Sequence, residues 1–281
     1  MEADVKLSTT DQNHKRHEED LQRLRGFRLF DDDFMTKCFE DSPECVELVL
    51  HIILDKPDLK VEEVRTQYFI KNLLKRSVRL DIFATDSEGK KYNIEVQRAD
   101  KGAGAKRARY NSSLMDANIL PAGDDFEQLP ETYVIFITEK DVIGKGQILY
   151  QIERCVMETG EVFGDGSHIL YVNGAYEEDT PLGLLMKDFF CTNPSDMYYS
   201  VLAERTRYFK EDKEGVAVMC KVMEDMRNES LEEGREIGKR EEMEKIALRM
   251  MQSGKYALEE IAEITGLSVE ELKTLDTKRE A

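Results

Sequence analysis

Apolar residues along the chain recur first at helical spacing, then at alternate positions, then at helical spacing again. Phe34, Met35, Cys38 and Phe39 mark one face of a helix beginning near Asp31, where Asp31, Asp32 and Asp33 suit the positive end of the helix dipole. Ser42-Pro43-Glu44 restarts a helix, with Ser42 as N-cap and Pro43 at the first helical position. Val46, Val49, Leu50 and Ile53 form its apolar stripe, and Asp55-Lys56-Pro57 ends it. From Val61 the period falls to two. Residues 61–70, 78–86 and 90–98 read as strands, the last two joined by Ser87-Glu88-Gly89. Residues 103–120 read as a helix, and 133–138 (YVIFIT) as a buried strand. Residues 147–157 and 168–173 flank a turn-rich stretch and predict a further hairpin. Beyond Pro181 the pattern is helical, with a charged helix over 231–252 and a helix–turn–helix-like unit over 257–275 turning at Gly266. The polar residues 1–25 are expected to fray or form a short helix. This order predicts a mixed α/β sheet core over 26–210 and a helical C-terminal extension over 211–281.

Composition narrows the class. The chain has 281 residues, is 41% apolar, and contains no segment long and apolar enough to span a bilayer and no signal-peptide core after Met1. A soluble, cytoplasmic protein is expected. Five cysteines without CxxC pairing and four scattered histidines exclude the usual zinc spacings and suit reduced thiols. The net charge of −18 argues against polyanion binding by the chain as a whole. Its distribution argues otherwise, because Lys60 to Tyr110 carries thirteen Lys/Arg against seven Asp/Glu. Such a basic island suits a DNA-facing cleft.

The chemistry concentrates in RLDIFATDSEGKKYNIEVQR, residues 79–98. Alternation gives Val78, Leu80, Ile82 and Ala84 one face of the first strand, and Tyr92, Ile94 and Val96 the same face of the second. Asp81, Glu95 and Gln97 share the other face. A three-residue loop with Gly89 at positive φ pairs Asp86 with Lys90, which sets Asp81 opposite Glu95 and Arg79 opposite Gln97. Facing carboxylates repel. A divalent cation of the Mg²⁺ or Mn²⁺ kind removes that repulsion and can activate water toward a phosphodiester.

These residues, with DDDFMTKCF (31–39), TQYFIKNLLKRSVRLDIFATDSEGKKYNIEVQ (66–97), KRARYNSSLMD (106–116), TYVIFIT (132–138) and ILYVNG (169–174), resemble the recombination-promoting nuclease/transposase family, Rpn, of the PD-(D/E)XK nuclease superfamily. The resemblance implies a restriction-endonuclease-like central mixed sheet flanked by helices. It also implies a metal-dependent DNA endonuclease that promotes recombination and has links to mobile elements. Asp81 matches the signature Asp, Glu95 the (D/E), and Gln97 stands where the family usually has Lys. Asp81 and Glu95 would then bind Mg²⁺ or Mn²⁺, with the Val96 carbonyl a third ligand and Asp32 an added acid. Gln97 would position the water. Because glutamine carries no charge, a cation is expected from elsewhere: Arg79 first, then Lys106 or Arg109. Lys106, Arg107 and Arg109 would contact DNA phosphates. The alternative is a non-catalytic nucleic-acid-binding or assembly protein that retains the fold. The acidic unit at 257–275 reads as a packing or homo-oligomerisation module rather than a DNA reader.

Overall fold

The alternation beginning at Val61 builds a six-stranded sheet in the computed structural model, which describes residues 9–72, 76–98 and 102–280. Its strands are β1 (Val61–Ile70), β2 (Val78–Asp86), β3 (Lys91–Gln97), β4 (Thr132–Thr138), β5 (Leu149–Ile152) and β6 (Ser167–Asn173), in the spatial order β1-β2-β3-β4-β6-β5. β1, β2 and β3 form an antiparallel meander. β3, β4 and β6 run parallel, and β5 closes the far edge antiparallel to β6. The parallel pairing of β3 with β4 needs a crossover. Helix α4 (Ala105–Ile119) supplies it and packs on β4.

The register of the β2–β3 hairpin is the one the loop chemistry dictates. Gly89 has φ +83°, and Ile82 pairs with Ile94 and Phe83 with Asn93. The polar face is not solvated. α4 covers it, burying Phe83, Val134, Phe136 and Tyr171 against Ala108 and Met115. Glu95 lies under this helix with no exposed surface. The opposite face carries α2 (Asp32–Phe39), α3 (Pro43–Leu54), α5 (Pro181–Phe190) and α6 (Ser200–Glu211), joined through Phe30, Phe34, Phe39, Phe189 and Phe209. The expected N-cap bond from Ser42 is also not made. Its hydroxyl donates instead to Glu44 at 2.8 Å.

The polar N-terminal segment forms helix α1 (Thr9–Arg25), and its first eight residues lie outside the described ones. The chain divides into two compact units, Met1–Cys220 and Lys221–Ala281. Helix α7 runs from Lys213 to Ser253. In the second unit α8 (Leu258–Thr265) ends on Gly266 at φ +71° and α9 (Val269–Glu280) follows, with Ala247, Ile261, Leu267 and Leu272 as a small core.

Candidate active site

The hydrogen-bonded rungs of an antiparallel hairpin fall at every second residue. In β2–β3 they fall at Asp86–Lys90, Ala84–Tyr92 and Ile82–Ile94, and there the ladder ends. The next rung would join Leu80 to Val96. Instead the Asp81 carboxylate enters the gap and accepts the Val96 N–H at 3.0 Å. The facing pair Asp81 and Glu95 therefore sits where the two strands part. The N–H and C=O of a strand residue point to the same edge. The Val96 carbonyl accordingly faces the gap, while the Gln97 carbonyl faces β4 and accepts the Glu139 N–H at 3.1 Å.

Glu95 is held by α4. Arg107 Nη2 donates to its Oε2 at 2.7 Å and Asn111 Nδ2 to its Oε1 at 3.3 Å. Arg107 and Asn111 are four apart on one helix, so a single face delivers both. Burial raises the Glu95 carboxyl above its ordinary value, against the opposing charge of Arg107 and the polar groups around it. Burial also raises Asp81, and the neighbouring charges of Glu95 and Asp32 add to the rise. Both acids are thus raised chiefly by burial, and Asp81 also by its acidic neighbours.

Gln97 Nε2 lies 3.4 Å from Asp81 Oδ2. Its amide rests against Gly102, where a Cβ would meet Gln97 Oε1 at 1.9 Å. Asp32, exposed at the first turn of α2, accepts a hydrogen bond from Gln67 Nε2 at 3.1 Å. Arg79 is brought to neither acid: it pairs with Phe69 of β1, is exposed, and among the described residues makes no ion pair with Asp81 or Glu95. Lys106 and Arg109 are exposed on α4 and likewise make no ion pair with either acid. The cation in the centre is Arg107, which the sequence placed among phosphate contacts. Sequence reasoning also missed Asn111, Gly102 and Gln67. The four-residue spacing from Arg107 was the available signal for Asn111, whereas nothing in the pattern marked Gln67.

Residues 46–175 match the family model of the PD-(D/E)XK nuclease family transposases. The nuclease resemblance is therefore shown for the segment that holds β1 to β6, and the mixed sheet flanked by helices agrees with it. The match supports a nuclease-type hydrolase at the coarse level. No curated protein and no solved structure matches the chain. No helix among the described residues is long and apolar enough to cross a membrane.

PD-(D/E)XK nucleases generally use divalent metals. Among the described residues no three His, Cys, Asp or Glu side chains are grouped to hold an ion. The donor set at the gap is nonetheless of the kind that suits one hard cation: two carboxylates raised by burial and a carbonyl released from its rung. Ions of the Mg²⁺ kind are commonly held by one or two carboxylates, with waters and phosphate completing the shell.

Proposed function

We propose that this chain is a divalent-metal-dependent endonuclease that hydrolyses DNA phosphodiester bonds. The observation that carries the reading is the parted end of the β2–β3 hairpin, where Asp81 takes the Val96 N–H beside buried Glu95. Asp81, Glu95 and the Val96 carbonyl would hold Mg²⁺ or Mn²⁺. The bound ion supplies charge neutralisation at the phosphate and a more acidic water. Gln97, steadied by Asp81 and by the close approach of Gly102, orients that water through its amide. Arg107 offsets the charge that grows on the phosphate, a task that falls to lysine in the family signature. Lys106 and Arg109, exposed on the same helix, suit contacts to the DNA backbone. A role in recombination linked to mobile elements, a cytoplasmic location and self-association through the C-terminal helices belong to the same proposal.

The test is nicking of supercoiled DNA with Mg²⁺ or Mn²⁺. Asp81→Ala and Glu95→Ala are each expected to lower the rate on the order of 100-fold or more. Equal rates in wild type and both variants would refute the site. The Arg107–Glu95 ion pair favours a second reading, because it neutralises Glu95 without a metal. A non-catalytic DNA-binding protein would retard DNA but would not cut it, whichever metal is supplied.

A further inference from the structure

Three residues other than glycine have positive φ among the described residues: Asp41, Asp55 and Gln67. Aspartate tolerates the left-handed region through local hydrogen bonds, and Asp55 uses it to cap α3. Gln67 has no such excuse. It lies inside strand β1 at φ +51°, a conformation that costs an ordinary residue roughly 1–2 kcal/mol. Strain of this kind persists where the surroundings enforce it, often beside a functional site.

Its position is specific. Thr66 pairs with Ile82 and Tyr68 with Leu80, so Gln67 stands across from Asp81 with no rung of its own. The twist at Gln67 sends its amide toward α2, where Nε2 donates to Asp32 Oδ1 at 3.1 Å and to Thr36 Oγ1 at 2.9 Å. Gln67 Oε1 is buried without a hydrogen-bond partner among the described residues. The fold thus accepts both a strained backbone and an unpaired buried acceptor to keep one amide on Asp32. The contact ties Asp32 of α2 to the β1 position that stands across from Asp81.

We infer that Gln67, across from Asp81, is a positioning residue that holds Asp32 in place at the acidic gap and thereby sets the affinity of that gap for a divalent cation. The inference rests on the metal-binding reading of Asp81. Gln67 acts through Asp32 and touches neither water nor phosphate. Thr36 anchors the amide from its second side, so the donor is fixed in direction as well as in distance.

The test is Mn²⁺ binding to the full chain, followed by calorimetry and by the electron-spin signal of the free ion, with thermal melting alongside. Wild type is expected to bind Mn²⁺ and Asp81→Ala to lose it. Gln67→Gly removes the amide and relieves the backbone. It should weaken Mn²⁺ binding roughly tenfold while leaving the melting temperature unchanged or higher, the size usual for a residue that orients a metal ligand. Gln67→Asn tolerates the same backbone but falls one methylene short of Asp32, and should weaken binding to the same degree. In an Asp32→Ala background Gln67→Gly should add nothing. Binding by Gln67→Gly equal to wild type, a loss that tracks a fall in melting temperature, or full additivity with Asp32→Ala would each overturn the inference while Asp81→Ala still defines the metal site. Failure of the wild type to bind Mn²⁺ would instead overturn the metal reading, and this inference with it.

Discussion

Two aspartates on β2 show how one strand can serve stability at one end and chemistry at the other. Asp86, at the hairpin turn, is buried and accepts the N–H of Glu88 and of Lys90, each at 2.9 Å, and the Tyr92 hydroxyl at 2.6 Å. Its neighbourhood is crowded with satisfied carboxylates. Glu47 accepts Lys60 at 2.8 Å and the Val61 N–H at 3.0 Å, while Glu131 accepts the Tyr133 hydroxyl at 2.9 Å. Burial alone would raise both glutamates, but these donors hold them below the ordinary value. Asp81, at the open end, has one backbone donor, a long contact to Gln97, and two acids near it. The same residue type is a structural anchor where donors surround it and an unfinished ligand set where acids do.

The largest effect expected from this contrast falls on the anchored end. Asp86→Ala strands the buried Tyr92 hydroxyl and two turn N–H groups, and should cost about 3 kcal/mol in urea unfolding. A loss below about 1 kcal/mol would mean that water replaces the carboxylate and that the turn is not the anchor. At the open end the sign should reverse. Asp81→Asn relieves repulsion from Glu95 and Asp32 while keeping the side chain's shape, and should stabilise the metal-free chain by about 1 kcal/mol as nicking is lost. If Asp81→Asn destabilises instead, the open end is a packed structural element and the comparison collapses.

The pH response sharpens it further. Glu47 has a folded value below its ordinary 4.5, so its contribution to stability is complete above the unfolded value and is lost as pH falls through the lowered folded one. Glu47→Gln should therefore cost up to about 1 kcal/mol at neutral pH and nothing below the folded value, because Lys60 is largely exposed and its pairing is weak. Unfolding curves for wild type and Glu47→Gln that stay equally far apart across the acid range would show that the group's charge contributes nothing.

How much of this was legible in the sequence depends on the length scale of the cause. The hairpin register was readable because two local constraints, alternation and Gly89, each fix it alone. The β4 strand was readable because YVIFI is an unbroken apolar run, and all of Thr132–Thr138 is buried. The source of the cation was not. Alternation does give Arg79 the face of Asp81, but it lies past the last rung, paired with Phe69 and turned to solvent. Arg107 reaches Glu95 because α4 docks across the sheet, and no periodicity within a helix says where that helix will land. Gln67 was hidden for a related reason: its backbone is set by the demand for a donor at Asp32, and that demand comes from residues distant in sequence.

The smallest expected effect tests whether Gln97 belongs to the chemistry or only to the strand end. Gly102 has no positive φ, so its backbone does not require glycine. An added Cβ would meet Gln97 Oε1 at 1.9 Å, and the contact is with the far end of a flexible side chain. Gly102→Ala should therefore shift the amide away from Asp81 at a stability cost of no more than about 0.5 kcal/mol, as for a surface substitution that strands no buried group. If Gln97 orients the water, nicking should slow several-fold while DNA affinity holds, since no phosphate contact is touched. A Gly102→Ala chain that nicks at the wild-type rate would remove Gln97 from the mechanism and leave Arg107 and the two acids to carry it. A variant that loses both rate and several kcal/mol would show the Gln97–Gly102 contact to be part of the core, and the open end of the hairpin to be less different from its turn than the two aspartates suggest.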